Sequence, residues 1–293
     1  MSLKMLPTLR HNNLTILQKK LYNTMKMNLR LLRSTGDTWN ENRKTHTTVD
    51  ASDVERHTKL MDEWWNPNGA LKALHSMNSL RVPFVRDGLI QWSLDKRSHT
   101  PLKDKKILDV GCGGGILAES LARLGASVTG VDASKQLINL AEDHASKNPR
   151  LHNNKPEYIC TSVEEHAAER NNYYDGVVAS EIIEHINNNG KELFVKSCIQ
   201  TLKPGGRIFF TTPNKTRITQ ITGIYIAECL NIVPKGTHQY DKFMTPNELM
   251  SLLERNGCYV ESIFGMFYNV LTNTWSWIGP QVLMFALQAV KSK

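Results

Sequence analysis

Residues 105–134 read KKILDVGCGGGILAESLARLGASVTGVDAS, and between Gly111 and Gly115 only Cys112 is not glycine. An apolar run that reads as a strand leads in, and an apolar-periodic run that reads as a helix leads out. A chain that turns this sharply from strand to helix needs glycine, both for its backbone conformations and to let a ligand approach the main chain. The dinucleotide fingerprint G-x-G-x-x-G asks for a third glycine where Ile116 stands. The spacing matches D-x-G-x-G-x-G from Asp109 to Gly115 instead, a turn suited to an adenosyl ligand that carries an amino acid and no pyrophosphate. Asp132 ends the next strand, 21 residues after Gly111, where a carboxylate can accept both ribose hydroxyls. These features point to S-adenosylmethionine rather than NAD.

The pattern around the loop extends the same architecture. KKILDVG, ASVTGVD, PEYIC, YDGVVAS and GGRIFFTT read as strands, and ILAESLARLG, SKQLINLAEDHASKN, SVEEHAAER and GKELFVKSCIQTL as the helices between them, with Ser134 as an N-cap. Strands spaced by helices predict an α/β fold: a doubly wound, mostly parallel, seven-stranded sheet that binds ligands at the strands' carboxyl ends. Residues 51–94 predict a lead-in of two or three helical segments, interrupted at Asn66-Pro67-Asn68-Gly69 and at Pro83.

Of the net charge of +8, seven basic residues fall within residues 1–36, which contain no Asp or Glu, so the body is nearly neutral. That acid-free, Leu- and Met-bearing terminus reads as a mitochondrial presequence, with a basic arm for nucleic acid or membrane as the alternative. Residues 1–45 are therefore assigned to presequence and linker, and 46–293 to one catalytic domain. Five scattered cysteines without a C-x-x-C pair suit a reducing compartment and no zinc site. No apolar run of membrane-spanning length occurs.

The segments ILDVGCGGGILAESLARLGASVTGVDAS, SVEEHAAE, EIIEHI, LKPGGRIFFTTPN and VPKGTHQYDKFMTPNEL resemble the mitochondrial ubiquinone-biosynthesis O-methyltransferase family from about Val49 to Thr274. The glycine motif and LKPGG are shared by many class I methyltransferases, whereas EEHAAE and VPKGTH are particular to this family. The resemblance implies methylation of phenolic oxygens on polyprenylated ring intermediates of ubiquinone, at two steps. The chain lacks the N/D-P-P-Y/F run of amino-group methylation on nucleic acid. Another small catechol as acceptor, or a non-catalytic scaffold within a ubiquinone-synthesis complex, are the rival readings.

The resemblance further implies that Arg81 reaches the cofactor's carboxylate, Gly111 lines its methionine part with Gly113 beside it, Asp132 holds the ribose and Ser180 makes a backbone contact. It implies a magnesium-type site at Glu181, Glu184 and His185, which stand at i, i+3 and i+4 and share one face if the stretch is helical. A phenol with a pKa of about 10 is mostly protonated near neutrality, so a carboxylate-held divalent cation would acidify it, or a neutral histidine would take its proton. Magnesium prefers oxygen ligands, so His185 is either a ligand or the catalytic general base.

Residues 215–240 predict a helical insertion after the fifth strand. Its stripe of Ile218, Ile221, Ile224 and Tyr225, flanked by Lys215, Arg217 and Lys235, reads as core contact or as peripheral contact with the inner membrane. His238 is a candidate to face the acceptor.

Overall fold

The computed structural model describes residues 47–90, 98–219 and 240–293. Presequence, processing region and most of the insertion, including Ile221, Ile224, Tyr225, Lys235 and His238, lie outside the described residues.

The strands are β1 (Lys106–Val110), β2 (Ser127–Asp132), β3 (Glu157–Cys160), β4 (Tyr174–Ser180), β5 (Leu202–Pro213), β6 (Cys258–Asn269), β7 (Thr274–Ile278) and β8 (Met284–Lys291). They form one sheet in the order β3-β2-β1-β4-β5-β8-β6-β7. β1 to β5 are parallel, β8 runs antiparallel between β5 and β6, and β7 pairs antiparallel with β6 at the edge. The described sheet thus has eight strands, not the seven expected. The added member is β7, which turns back from β6 because Asn273 takes a positive φ of 51° that closes a hairpin.

Helices α1 (Ala51–Thr58) and α2 (Lys72–Leu89) form the lead-in, and α3 (Ile116–Arg123), α4 (Lys135–Lys147), α5 (Val163–Glu169) and α6 (Lys191–Thr201) separate the parallel strands. α7 (Pro246–Glu254) precedes β6. Ser134 caps α4 as expected, accepting the Leu137 amide at 3.3 Å. α7 starts with a capping box in which Thr245 and Glu248 each satisfy the other's amide.

Pro83 does not interrupt the lead-in; α2 runs through it. A proline inside a helix costs about 3 kcal/mol, but Met77, Phe84, Val85 and Leu89 are buried from the same helix, and each such side chain returns roughly 1.5–3 kcal/mol. The packed face outweighs the lost hydrogen bond.

Period-two alternation splits the core between the two sides of the sheet. Leu108, Val177, Ile208 and Phe210 pack on one side with Phe194, Leu249 and Leu252, while Ile107, Val178 and Phe209 pack on the other with Phe84, Leu117 and Leu121. The order reverses at β1, flanked by β2 on one side and β4 on the other. That switch point leaves a crevice at the strands' carboxyl ends.

Candidate active site

One cavity of about 660 Å³ lies at this end of the sheet, and Arg81, Gly111, Gly113, Asp132, Ser180, Glu181, Glu184 and His185 all line it. The glycine loop forms its floor. Gly111 and Gly113 take positive φ of 69° and 52°, and the Gly111 and Cys112 amides donate to the Val131 carbonyl at 2.8 and 3.1 Å, which ties the turn to β2. A Cβ on Gly111 would lie 2.8 Å from Ile182 Cδ1, and one on Gly113 would enter the Trp64 indole. Trp64 therefore closes over the loop from the lead-in.

Asp132 projects from the end of β2. Its Oδ2 accepts the Gly113 amide at 2.9 Å and its Oδ1 the Ser134 amide at 2.8 Å. Burial pushes its pKa up, and the two amides oppose that. Each oxygen keeps a lone pair for a further donor.

Arg81 is buried on α2. It donates from Nη1 to Ser180 Oγ at 2.9 Å, from Nη2 to the Leu74 carbonyl at 3.0 Å, and from Nε and Nη2 to Asn78 Oδ1 at 3.1 and 2.7 Å. Burial brings its pKa down to about 10, against the nearby charges of Glu181 and Asp109. Ser180 Oγ also lies 2.7 Å from Thr211 Oγ1, so this side chain positions the guanidinium.

Asp109, the first residue of the glycine motif, is buried with Oδ2 lacking any hydrogen-bond partner. Burial pushes its pKa up to about 7; Arg81 opposes the shift and Asp132 adds to it. A buried guanidinium and a buried carboxylate with an open oxygen match the two charges of an amino-acid zwitterion, and Asp132 matches vicinal hydroxyls. The residues present fit S-adenosylmethionine.

The acidic end departs from expectation. Glu181 takes a positive φ of 55°, and only Ile183–His185 form a single 3₁₀ turn, so no helix face carries Glu181, Glu184 and His185. The cause is a contact with the neighbouring strand: the Glu181 amide donates to the Thr211 carbonyl of β5 at 2.9 Å, which extends the ladder past the point where a helix would start. Glu184 Oε2 accepts from Thr212 Oγ1 at 3.0 Å, while Glu181 Oε1 is shielded and unpartnered. Burial first, then the Glu184 charge, pushes Glu181 up to about 8, and burial pushes Glu184 up as well. His185 faces the lead-in, with Nδ1 3.5 Å from Asp53 Oδ1 and its ring edge-on to His57 at 4.8 Å. Among the described residues no three His, Cys, Asp or Glu side chains gather as ligands for a metal ion. The two carboxylates, one with an open oxygen, are the residues present that could hold a cation, while the His185 Nδ1 faces Asp53.

The lead-in supplies groups that sequence reasoning missed. Asp53 and His57 of α1 line the cavity, and burial brings His57 down to about 4. Lys242 Nζ lies 3.2 Å from Asp50 Oδ2 and 3.7 Å from Asp53 Oδ2. An Asp and a His four apart on a polar helix carry no distinguishing pattern; only packing against the turn after β4 brings them to the site.

Residues 85–263 match the family model described as a methyltransferase domain. The magnesium protoporphyrin IX methyltransferase of Synechocystis shares the fold at a TM-score of 0.55 and 18% identity, with 83% of this chain and 100% of that one covered. A SAM-dependent methyltransferase of Archaeoglobus fulgidus does so at 0.54 and 19%, covering 80% and 99%. The mitochondrial ubiquinone biosynthesis O-methyltransferase of Rattus norvegicus is 44% identical over 263 residues, 89% of this chain and 75% of the relative. A ubiquinone biosynthesis O-methyltransferase of Pelagibacter ubique is 37% identical over 78% of this chain and 92% of its own length. With likeness of that degree across most of both chains, around a cavity built for an adenosyl amino acid, this protein belongs to the ubiquinone biosynthesis O-methyltransferase family.

Proposed function

We propose that the protein methylates phenolic hydroxyls of polyprenylated ring intermediates in ubiquinone biosynthesis with S-adenosylmethionine, at both the polyprenyl-dihydroxybenzoate and the demethylubiquinol steps. One observation carries the reading: the residues suited to the cofactor and the acidic residues suited to a hydroxyl acceptor line the same cavity. The names of the relatives supply the pathway.

Bound S-adenosylmethionine supplies an electrophilic methyl group on a sulfonium. Arg81 and Asp109 would bind its charged amino-acid end and Asp132 its ribose, with Trp64 packed over the glycine loop. Burial lowers the pKa of His185, which favours the neutral imidazole near neutrality. With Nδ1 facing Asp53, the other ring nitrogen is left to accept the phenolic proton. The acceptor oxygen then takes the methyl carbon in line, and the bond to sulfur breaks with its electron pair on sulfur. Glu181 and Glu184 would hold a magnesium ion, which when bound acidifies the hydroxyl and orients its neighbour.

In this reading the chain works in the mitochondrial matrix after loss of its presequence, in peripheral contact with the inner membrane beside other ubiquinone-synthesis enzymes and without nucleic acid. No described helix is long and apolar enough to cross a membrane. The test is methyl transfer from S-adenosylmethionine to a short-tailed catechol by purified protein, with and without EDTA. Turnover lost on chelation and restored by magnesium supports the full reading. Turnover indifferent to EDTA removes the metal and leaves His185 as the base, and no transfer at all refutes the function.

A further inference from the structure

The cavity extends well past the groups that chemistry requires. Beyond the acidic end its wall is made by Pro213, Met266, Tyr268, Trp275, Leu283 and Met284, none of them charged. Strand register makes this one continuous surface: Pro213 pairs with Met284, Met284 with Met266, and Tyr268 with Trp275. Paired residues share a sheet face, as do Met266 and Tyr268 two apart on β6. Met77, Leu74 and Ala73 of α2 also line the cavity.

The polar atoms of this wall are consumed within the protein. Trp275 Nε1 donates to the Ala73 carbonyl at 2.8 Å and the Tyr268 hydroxyl to Asn273 Oδ1 at 2.9 Å. What remains for a ligand is carbon, the Met284 thioether and two rings 4.9 Å apart, with the fully buried Met266 packed behind them. The wall reaches the surface through apolar residues: Leu283 is followed back along the chain by Val282, 37% exposed, whose carbonyl accepts from Thr219 Oγ1 at 3.1 Å, and Thr219 is preceded by Ile218, 51% exposed. The residues assigned to cofactor and acceptor ring stand at the ends of β1, β2 and β4 and on the lead-in; this wall belongs to β5, β8, β6 and the added strand β7.

We infer that this wall is a binding subsite for the acceptor's polyprenyl tail, which runs from the ring at Glu184 and His185 along Met284, Tyr268 and Trp275 toward Val282. The inference rests on the proposed acceptor class. Its chemistry follows from the wall: a methyl-branched run of isoprene units needs a long, uncharged, adaptable channel, and a flexible methionine with aromatic rings beside it provides one.

The test compares two acceptors that differ only in the tail, a farnesylated catechol and its methyl counterpart, with the full chain, S-adenosylmethionine and one detergent throughout. Burial of several methylene groups should give the farnesylated acceptor a KM lower by about tenfold or more. Met284→Gln and Leu283→Gln should erase that preference by raising the KM of the farnesylated acceptor alone, with KM for the methyl acceptor and calorimetric affinity for S-adenosylmethionine held. Farnesol should compete with the farnesylated acceptor and not with S-adenosylmethionine, a measurement that needs no variant. Equal KM values for the two acceptors in the wild type, or variants that raise both KM values alike, overturn the subsite while leaving the methyltransferase reading intact. Failure to methylate either acceptor overturns that reading and the subsite with it.

Discussion

Asp109→Asn isolates what a buried carboxylate costs the fold before any ligand arrives. The carboxyl is buried, one oxygen has no partner, and its pKa is pushed from the ordinary 3.8 up to about 7, chiefly by burial and against the attraction of Arg81. For an acid whose folded pKa is raised, the native state prefers the protonated form. Its stabilising share is fully present below about pH 4 and is lost as pH rises through about 7. A shift from 3.8 to about 7 corresponds to about 4 kcal/mol at 1.36 kcal/mol per unit, an upper bound on the stability lost by pH 8. Asparagine mimics the protonated acid in shape and cannot ionise. Denaturant unfolding of wild type and Asp109→Asn should therefore agree near pH 4 and diverge through pH 7, with the variant more stable by up to about 4 kcal/mol at pH 8. Titration with S-adenosylmethionine should show the reverse order at pH 8, because the ammonium group loses its counter-charge. Parallel stability curves across the whole range would refute the buried-charge argument, and equal affinities would remove Asp109 from the cofactor site.

Asp132→Ala should weaken S-adenosylmethionine binding by roughly 1.5–3 kcal/mol in calorimetry, since charge-assisted bonds to the ribose vanish; unchanged affinity rejects the role. Gly113→Ala should lower stability by at least about 1 kcal/mol from the left-handed conformation alone, and Trp64→Ala should recover only the part due to the indole, as a double-mutant melt would resolve. Glu181→Gln and Glu184→Gln should abolish turnover with cofactor affinity nearly unchanged; loss of cofactor binding would reassign both to the adenosyl pocket. A fusion of residues 1–45 to a fluorescent protein should enter mitochondria, and cytosolic or nuclear signal would revive the basic-arm reading.

Much of this was written locally and could be read so. The strand-to-helix turn at Gly111–Gly115, the acid at the end of β2 and the alternation of Ile107 with Leu108 or Phe209 with Phe210 are set by neighbours a few residues apart, where backbone sterics and side-chain period act directly. Those features fix a doubly wound sheet and the place of its crevice. Packing decided the rest. Pro83 breaks a helix by its own chemistry, yet α2 passes through it because the buried face outweighs one hydrogen bond. The spacing of Glu181, Glu184 and His185 allowed a helix face, and a single bond from the Glu181 amide to Thr211, 30 residues on, removed it. Asp53, His57 and Trp64 come to the cavity from a lead-in with no motif, and the apolar wall exists only through pairings between β5, β8, β6 and β7. Such contacts depend on where distant segments meet, and local sequence pattern does not encode distance in space.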